Sequence, residues 1–111
     1  MLVRGCSVNS YCIAITTFET QEQAKPIIDR IISEKLGACV QCLEINSSYC
    51  WNGEVCNEPE ILVLIKTRDE LFEPLKAFLL ETHPYDTPEI IKVPIESGSI
   101  AYLSWIDEAT K

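Results

Sequence analysis

The sequence predicts a single α+β domain: a ferredoxin-like βαββαβ sandwich, with a long hairpin between its second and third strands and a short C-terminal helix. Three observations predict it. Strand-like apolar runs alternate with two stripes of helical spacing. Asn52-Gly53 divides two long strand-like segments. The chain has 111 residues, enough for one hydrophobic core and too few for two.

Each element has its own local warrant. Residues 1–8 read as a loose N-terminal extension of the single domain, 1–111. Tyr11 to Phe18 is rich in β-branched and aromatic residues and nearly continuously apolar, as a strand covered on both faces would be. Thr20, with Gln23 three residues on, reads as a capping box. Ala24, Ile27, Ile28, Ile31, Ile32 and Leu36 then form one stripe of an amphipathic helix, and Gly37 is placed for the C′ position beyond it. Pro26 lies past the first turn and should kink this helix or delay its start.

Cys39 to Trp51 is the second strand. Asn52-Gly53 should turn the hairpin, because both residues accept φ > 0; that register pairs residue 51 with 54 and 50 with 55. Glu54 to Lys66 returns as the third strand, its stretch Ile61 to Ile65 continuously apolar and central. Pro59 cannot donate to a ladder and marks a bulge, a break or an exposed edge. Thr67 with Glu70 reads as a second capping box, ahead of the stripe Leu71, Leu75, Phe78 and Leu79. Pro74 then lies deeper in that helix than its missing N–H favours.

His83-Pro84-Tyr85-Asp86-Thr87-Pro88 is a stiff turn, Glu89 to Ile95 the fourth strand, Ser97-Gly98-Ser99 a turn, and Ile100 to Ala109 a short helix. Right-handed crossovers put the first two helices on one face of the sheet. The other face then needs cover that two helices cannot give. Exposed apolar sheet invites association, so a homo-oligomer built on the sheet is expected.

Composition narrows function. Acidic residues number 17 against 9 basic ones, a net charge of −8 that repels phosphate backbones and argues against nucleic acid as a partner. No apolar run approaches the roughly 18 residues of a membrane span, so no membrane partner is expected. Met1 to Ser10 carries one Arg and no apolar stretch leading to a small-residue cleavage site. No signal peptide is expected, the expected location is cytoplasmic, and the six cysteines (Cys6, Cys12, Cys39, Cys42, Cys50 and Cys56) are expected as thiols.

No catalytic set can be written. The four glycines are scattered without a phosphate-binding loop, and no GxSxG occurs. The chain therefore does not read as an enzyme. Cys39-Val40-Gln41-Cys42 begins a strand, where i and i+3 face opposite sides, so the pair reads as small hydrophobes ahead of a zinc or redox motif. Cys50 and Cys56 flank the hairpin turn one residue off register, which disfavours a disulfide. His83 is the sole histidine; it either caps the second helix, favoured by the dipole, or joins ligands from a neighbouring subunit. Tyr49, Trp51, Tyr85, Tyr102 and Trp105 either pack core and subunit contacts or line a cleft between subunits. Glu60 and Lys66 flank the third strand's apolar centre, as solvated ends or as a buried pair between subunits.

Several segments, in order, resemble the CutA family of small divalent-cation tolerance proteins along nearly the whole chain. They are Glu34-Lys35-Leu36-Gly37-Ala38-Cys39, Tyr49-Cys50-Trp51-Asn52-Gly53-Glu54, Lys66-Thr67, His83 to Glu89, and Gly98 to Ile106. The resemblance implies a tight homotrimer, similar in assembly to the PII signalling proteins. It implies a part in tolerance of copper and other divalent metals through metal binding, with no cofactor required and no established reaction. The ligands it implies are thiols and an imidazole, which here match Cys39 and His83; Thr16 stands where some members have a further cysteine. The other reading is a PII-like signalling module that binds a small molecule or a partner protein at clefts between subunits.

Overall fold

The computed structural model describes residues 9–111, so the expected loose extension over residues 1–8, with Cys6, lies outside the described residues. Four strands, β1 (Tyr11–Phe18), β2 (Cys39–Trp51), β3 (Glu54–Arg68) and β4 (Ile91–Ile95), form one antiparallel sheet in the order β2-β3-β1-β4. Three α-helices accompany it: α1 (Gln21–Ser33), α2 (Phe72–Thr82) and α3 (Ile100–Ala109). This is the expected βαββαβ order with a C-terminal helix.

The strands take their faces from the pleat. Cys12, Ala14 and Phe18 of β1 and Ile61, Val63 and Ile65 of β3 turn to one side, where they pack with Ala24 and Ile31 of α1 and Leu75, Phe78 and Leu79 of α2. Both helices therefore lie on one face, and the core is there. The opposite face is covered only in part. There α3 lies across the start of β1 and the end of β3: Tyr11 donates to Asp107 at 2.7 Å, and Lys66 Nζ sits 5.6 Å from the centre of the Tyr102 ring.

Thr20 is the N-cap of α1 and accepts from the Gln23 N–H at 3.2 Å. The Gln23 side chain accepts from the Glu19 N–H, one residue before the cap. Pro26 is accommodated within α1 and does not delay its start. The left-handed C′ residue is Lys35, with φ 60°, and not Gly37. Leu36 N–H bonds back to the Ile31 carbonyl at 2.9 Å and Lys35 N–H to that of Ile32 at 3.1 Å, a Schellman end. Gly37 serves a different need: a Cβ built there would lie 2.7 Å from Ile65 Cγ2 and 2.9 Å from Ile31 Cγ2.

The second capping box does not form. Thr67 belongs to β3, is fully buried, and its hydroxyl donates to the Leu36 carbonyl at 2.8 Å. A 3-10 turn, Asp69–Leu71, separates β3 from α2. The later start makes Pro74 the third residue of α2, within the first turn, where its missing N–H costs nothing. At the hairpin, Trp51 pairs with Glu54 and Cys50 with Val55, as the turn residues require. Asn52 and Gly53 take φ of 52° and 79°. Pro59 is within β3 opposite Asn46, beyond the reach of β1. Pro94 is on the edge strand β4, where a missing donor is tolerated. The hairpin extends well past the body and gives the molecule a long axis of 56 Å against 25 and 22 Å.

Candidate functional site

His83 closes α2 through its backbone N–H, which donates to the Leu79 carbonyl at 2.8 Å. Its ring does not cap the helix. The ring is buried and stacks on Phe18, centroids 4.3 Å apart and planes 10° from parallel. Nδ1 accepts the Tyr85 N–H at 3.1 Å, so the proton is on Nε2, which donates to the Thr17 carbonyl at 2.8 Å. Both ring nitrogens are thus engaged, and burial holds the ring below the ordinary histidine range.

Cys39 opens β2 opposite Lys66, which in turn borders Ile13. Thr17, which His83 holds, pairs with Leu62 instead. Those rows differ by four residues, about 13 Å along the strands, and β2 lies two strands from β1. Cys39 and His83 therefore do not meet within one chain. Among the described residues no three His, Cys, Asp or Glu side chains are grouped to hold a metal ion. Thr16 is fully buried and its hydroxyl lacks a partner. The five described cysteines form no disulfide. Burial raises the thiol pKa of Cys12, to about 11, and also that of Cys42.

A groove of about 860 Å³ opens at the other end of the uncovered face, where β1 stops and the hairpin runs on alone. The end of β1 contributes Thr17, Glu19 and Thr20; β2 contributes Tyr49 and Trp51. From β3 come Cys56, Glu58, Pro59 and Glu60, and the loop after α2 adds Tyr85, Asp86, Thr87 and Glu89. Alternation along the strands aims Cys56, Glu58 and Glu60 to one side, and Tyr49, paired with Cys56, joins them. Tyr49 donates its hydroxyl to Glu58, and Tyr85 donates to Glu60 at 2.9 Å. The bond to Glu58 is the first cause that pushes the Tyr49 hydroxyl up to about 12. Burial, then Glu60, raises Tyr85 further still.

The sequence offers the aromatics as core and subunit packing or as a cleft between subunits; within one chain, Tyr49, Trp51 and Tyr85 line a groove. Glu60, a solvated end or half of a pair between subunits on the sequence reading, accepts the Tyr85 hydroxyl within the chain. Glu58 is not singled out by the sequence reading; its even spacing from Glu60 puts both on one strand face.

A family model described as CutA1 divalent ion tolerance protein matches residues 12–109. The divalent-cation tolerance protein CutA of Pyrococcus horikoshii is 36% identical over 99 residues, covering 89% of this chain and 97% of the relative. The chloroplastic protein CutA of Arabidopsis thaliana is 40% identical over 89% of this chain, which spans 55% of that longer relative. Among solved structures, CutA1 from Oryza sativa superposes with a TM-score of 0.89 at 38% identity, covering 92% of this chain and 94% of its own. These relatives are named for tolerance or for the family, and none of the three for a reaction.

Proposed function

From the premise that this chain belongs to the CutA1 divalent ion tolerance family, we propose that it works as a cytoplasmic, non-enzymatic homotrimer that contributes to divalent-metal tolerance by binding the metal. The observation that carries the assembly is the uncovered sheet face. Leu43, Ile91 and Val93 are exposed there by 54%, 49% and 42%, more apolar strand surface than a lone chain keeps in water. Association across that face also brings ligands from different subunits within reach of one another.

Copper or zinc suits the thiol of Cys39 and the imidazole of His83 better than magnesium does. One chain does not hold both on a single ion, so the site needs a neighbouring subunit. His83 would join by giving up the Tyr85 N–H at Nδ1, keeping its Nε2 bond to Thr17. Calorimetric titration with Cu(II) and Zn(II) tests this. Cys39→Ser and His83→Ala should each weaken binding tenfold or more, about 1.4 kcal/mol, while Cys50→Ser and Cys56→Ser should not. Equal small losses in all four would make the binding indiscriminate thiol chemistry.

The groove favours a second reading, a PII-like signalling module that takes a small molecule or a partner protein at clefts between subunits, of which this groove would form one wall. Its volume is in the range of small-molecule sites, and it joins aromatic surface to convergent polar groups.

A further inference from the structure

We propose that the groove at the hairpin end of the uncovered sheet face binds a small organic cation, its ammonium or guanidinium group seated between aromatic faces and carboxylates. The inference rests on the second reading above and names the chemical class that such a cleft would take.

Charge is the first argument. Glu19, Glu58, Glu60, Asp86 and Glu89 line the groove, and no lysine or arginine does. The ion pairs among the described residues use other carboxylates: Asp29, Glu34, Asp69, Glu70 and Glu73. The groove is therefore a concentration of negative charge without an internal counterion, and an anionic ligand would be repelled.

The spread of that charge is the second argument, and it separates an organic cation from a metal. No three of the described carboxylates, thiols and imidazoles are grouped to chelate one ion. A bare divalent ion would find no complete coordination sphere here. A larger cation spreads its charge over several atoms and does not need three ligands gathered at one point.

The aromatic groups are the third. In the single chain Trp51 is 57% exposed and Tyr49 41%, both lining the groove. Cations are attracted to such faces, most strongly to tryptophan. The hydroxyls of Tyr49 and Tyr85 are tied to Glu58 and Glu60, which fixes the rings beside the carboxylates and leaves further lone pairs for a donor. Thr17, only 4% exposed, lines the groove as well.

Calorimetry on the full chain at low salt tests the class, with choline and agmatine as probes and 3,3-dimethylbutanol as the uncharged counterpart of choline. At least one cation should bind tenfold or more tightly than the alcohol. Trp51→Ala and Glu60→Gln should each weaken it tenfold, and Trp51→Phe should restore most of the loss by returning a ring. If the alcohol matches choline, or if neither cation binds, the proposal is wrong. A thermal-shift screen of neutral and anionic compounds then separates the two levels. A ligand lost in Trp51→Ala would keep the cleft and overturn the cation; none at all would overturn both.

Discussion

His83 donates from Nε2 to the Thr17 carbonyl at 2.8 Å, joining the loop after α2 to the end of β1. The same ring stacks on Phe18 and accepts the Tyr85 N–H. One side chain thus closes the helix layer on one side and positions a wall of the groove on the other. That role requires a neutral ring, since a protonated Nδ1 has no lone pair to offer Tyr85.

Stability should therefore depend on pH through His83. Burial lowers its pKa in the folded chain below the ordinary 6.5. As pH falls through 6.5, the unfolded chain takes up a proton that the folded chain refuses, and stability is lost until the lower folded pKa is reached. Above 6.5 the contribution is complete. His83→Gln keeps a donor for Thr17 and does not titrate. Between about pH 7.5 and about 5.5, the wild-type melting point should fall more than that of His83→Gln. Parallel curves would mean that the ring is not held neutral.

Gly37→Ala should destabilise by about 1 to 3 kcal/mol, the usual range for overpacking a filled core. The added methyl meets Ile65 and Ile31 at 2.7 and 2.9 Å, both branched side chains in the core. Denaturant midpoints at unchanged m-value measure it. Gly37→Ala should cost less in an Ile31→Ala background, which lacks the Cγ2 that the added methyl meets, and a fully additive double mutant would locate the strain elsewhere.

Gly53→Val tests a backbone requirement and not a packing one. Nothing lies within 4 Å of a Cβ at Gly53, yet its φ is 79°. A β-branched residue there costs at least about 1 kcal/mol. An unchanged melting point would show that the hairpin does not depend on the turn.

Most of the fold was legible because its signals are local. Asn52-Gly53 set the hairpin register residue by residue, and Thr20 and Ser99 cap α1 and α3 through their own side chains. The misread helix start turned on a distant group. Thr67 carries the right residue type for a cap, but the Leu36 carbonyl, 31 positions away, takes its hydroxyl. The same holds for Gly37, whose role depends on Ile65 across the core. The groove was half legible: its aromatics stood out, while its carboxylates line one cleft only because β3 outruns β1 and the His83 loop folds back beside it.

Assembly offers the broadest test. The row Leu64, Ile15 and Ile91 crosses three strands on the face that α1 and α2 do not cover, with Leu43 and Val93 on neighbouring rows. In a trimer these positions leave water, and each buried leucine or isoleucine contributes about 1.5 to 3 kcal/mol. Light scattering at micromolar concentration should then give three times the 12.5 kDa chain mass. Because subunit contacts stabilise only the folded form, the melting point should rise with protein concentration. Leu43→Glu sets a charge on that face without touching the helix-side core, so it should lower the mass and abolish the concentration dependence while strand and helix content persist. A wild-type mass of one chain would reject the assembly. A trimer that survives Leu43→Glu would move the contact away from this face.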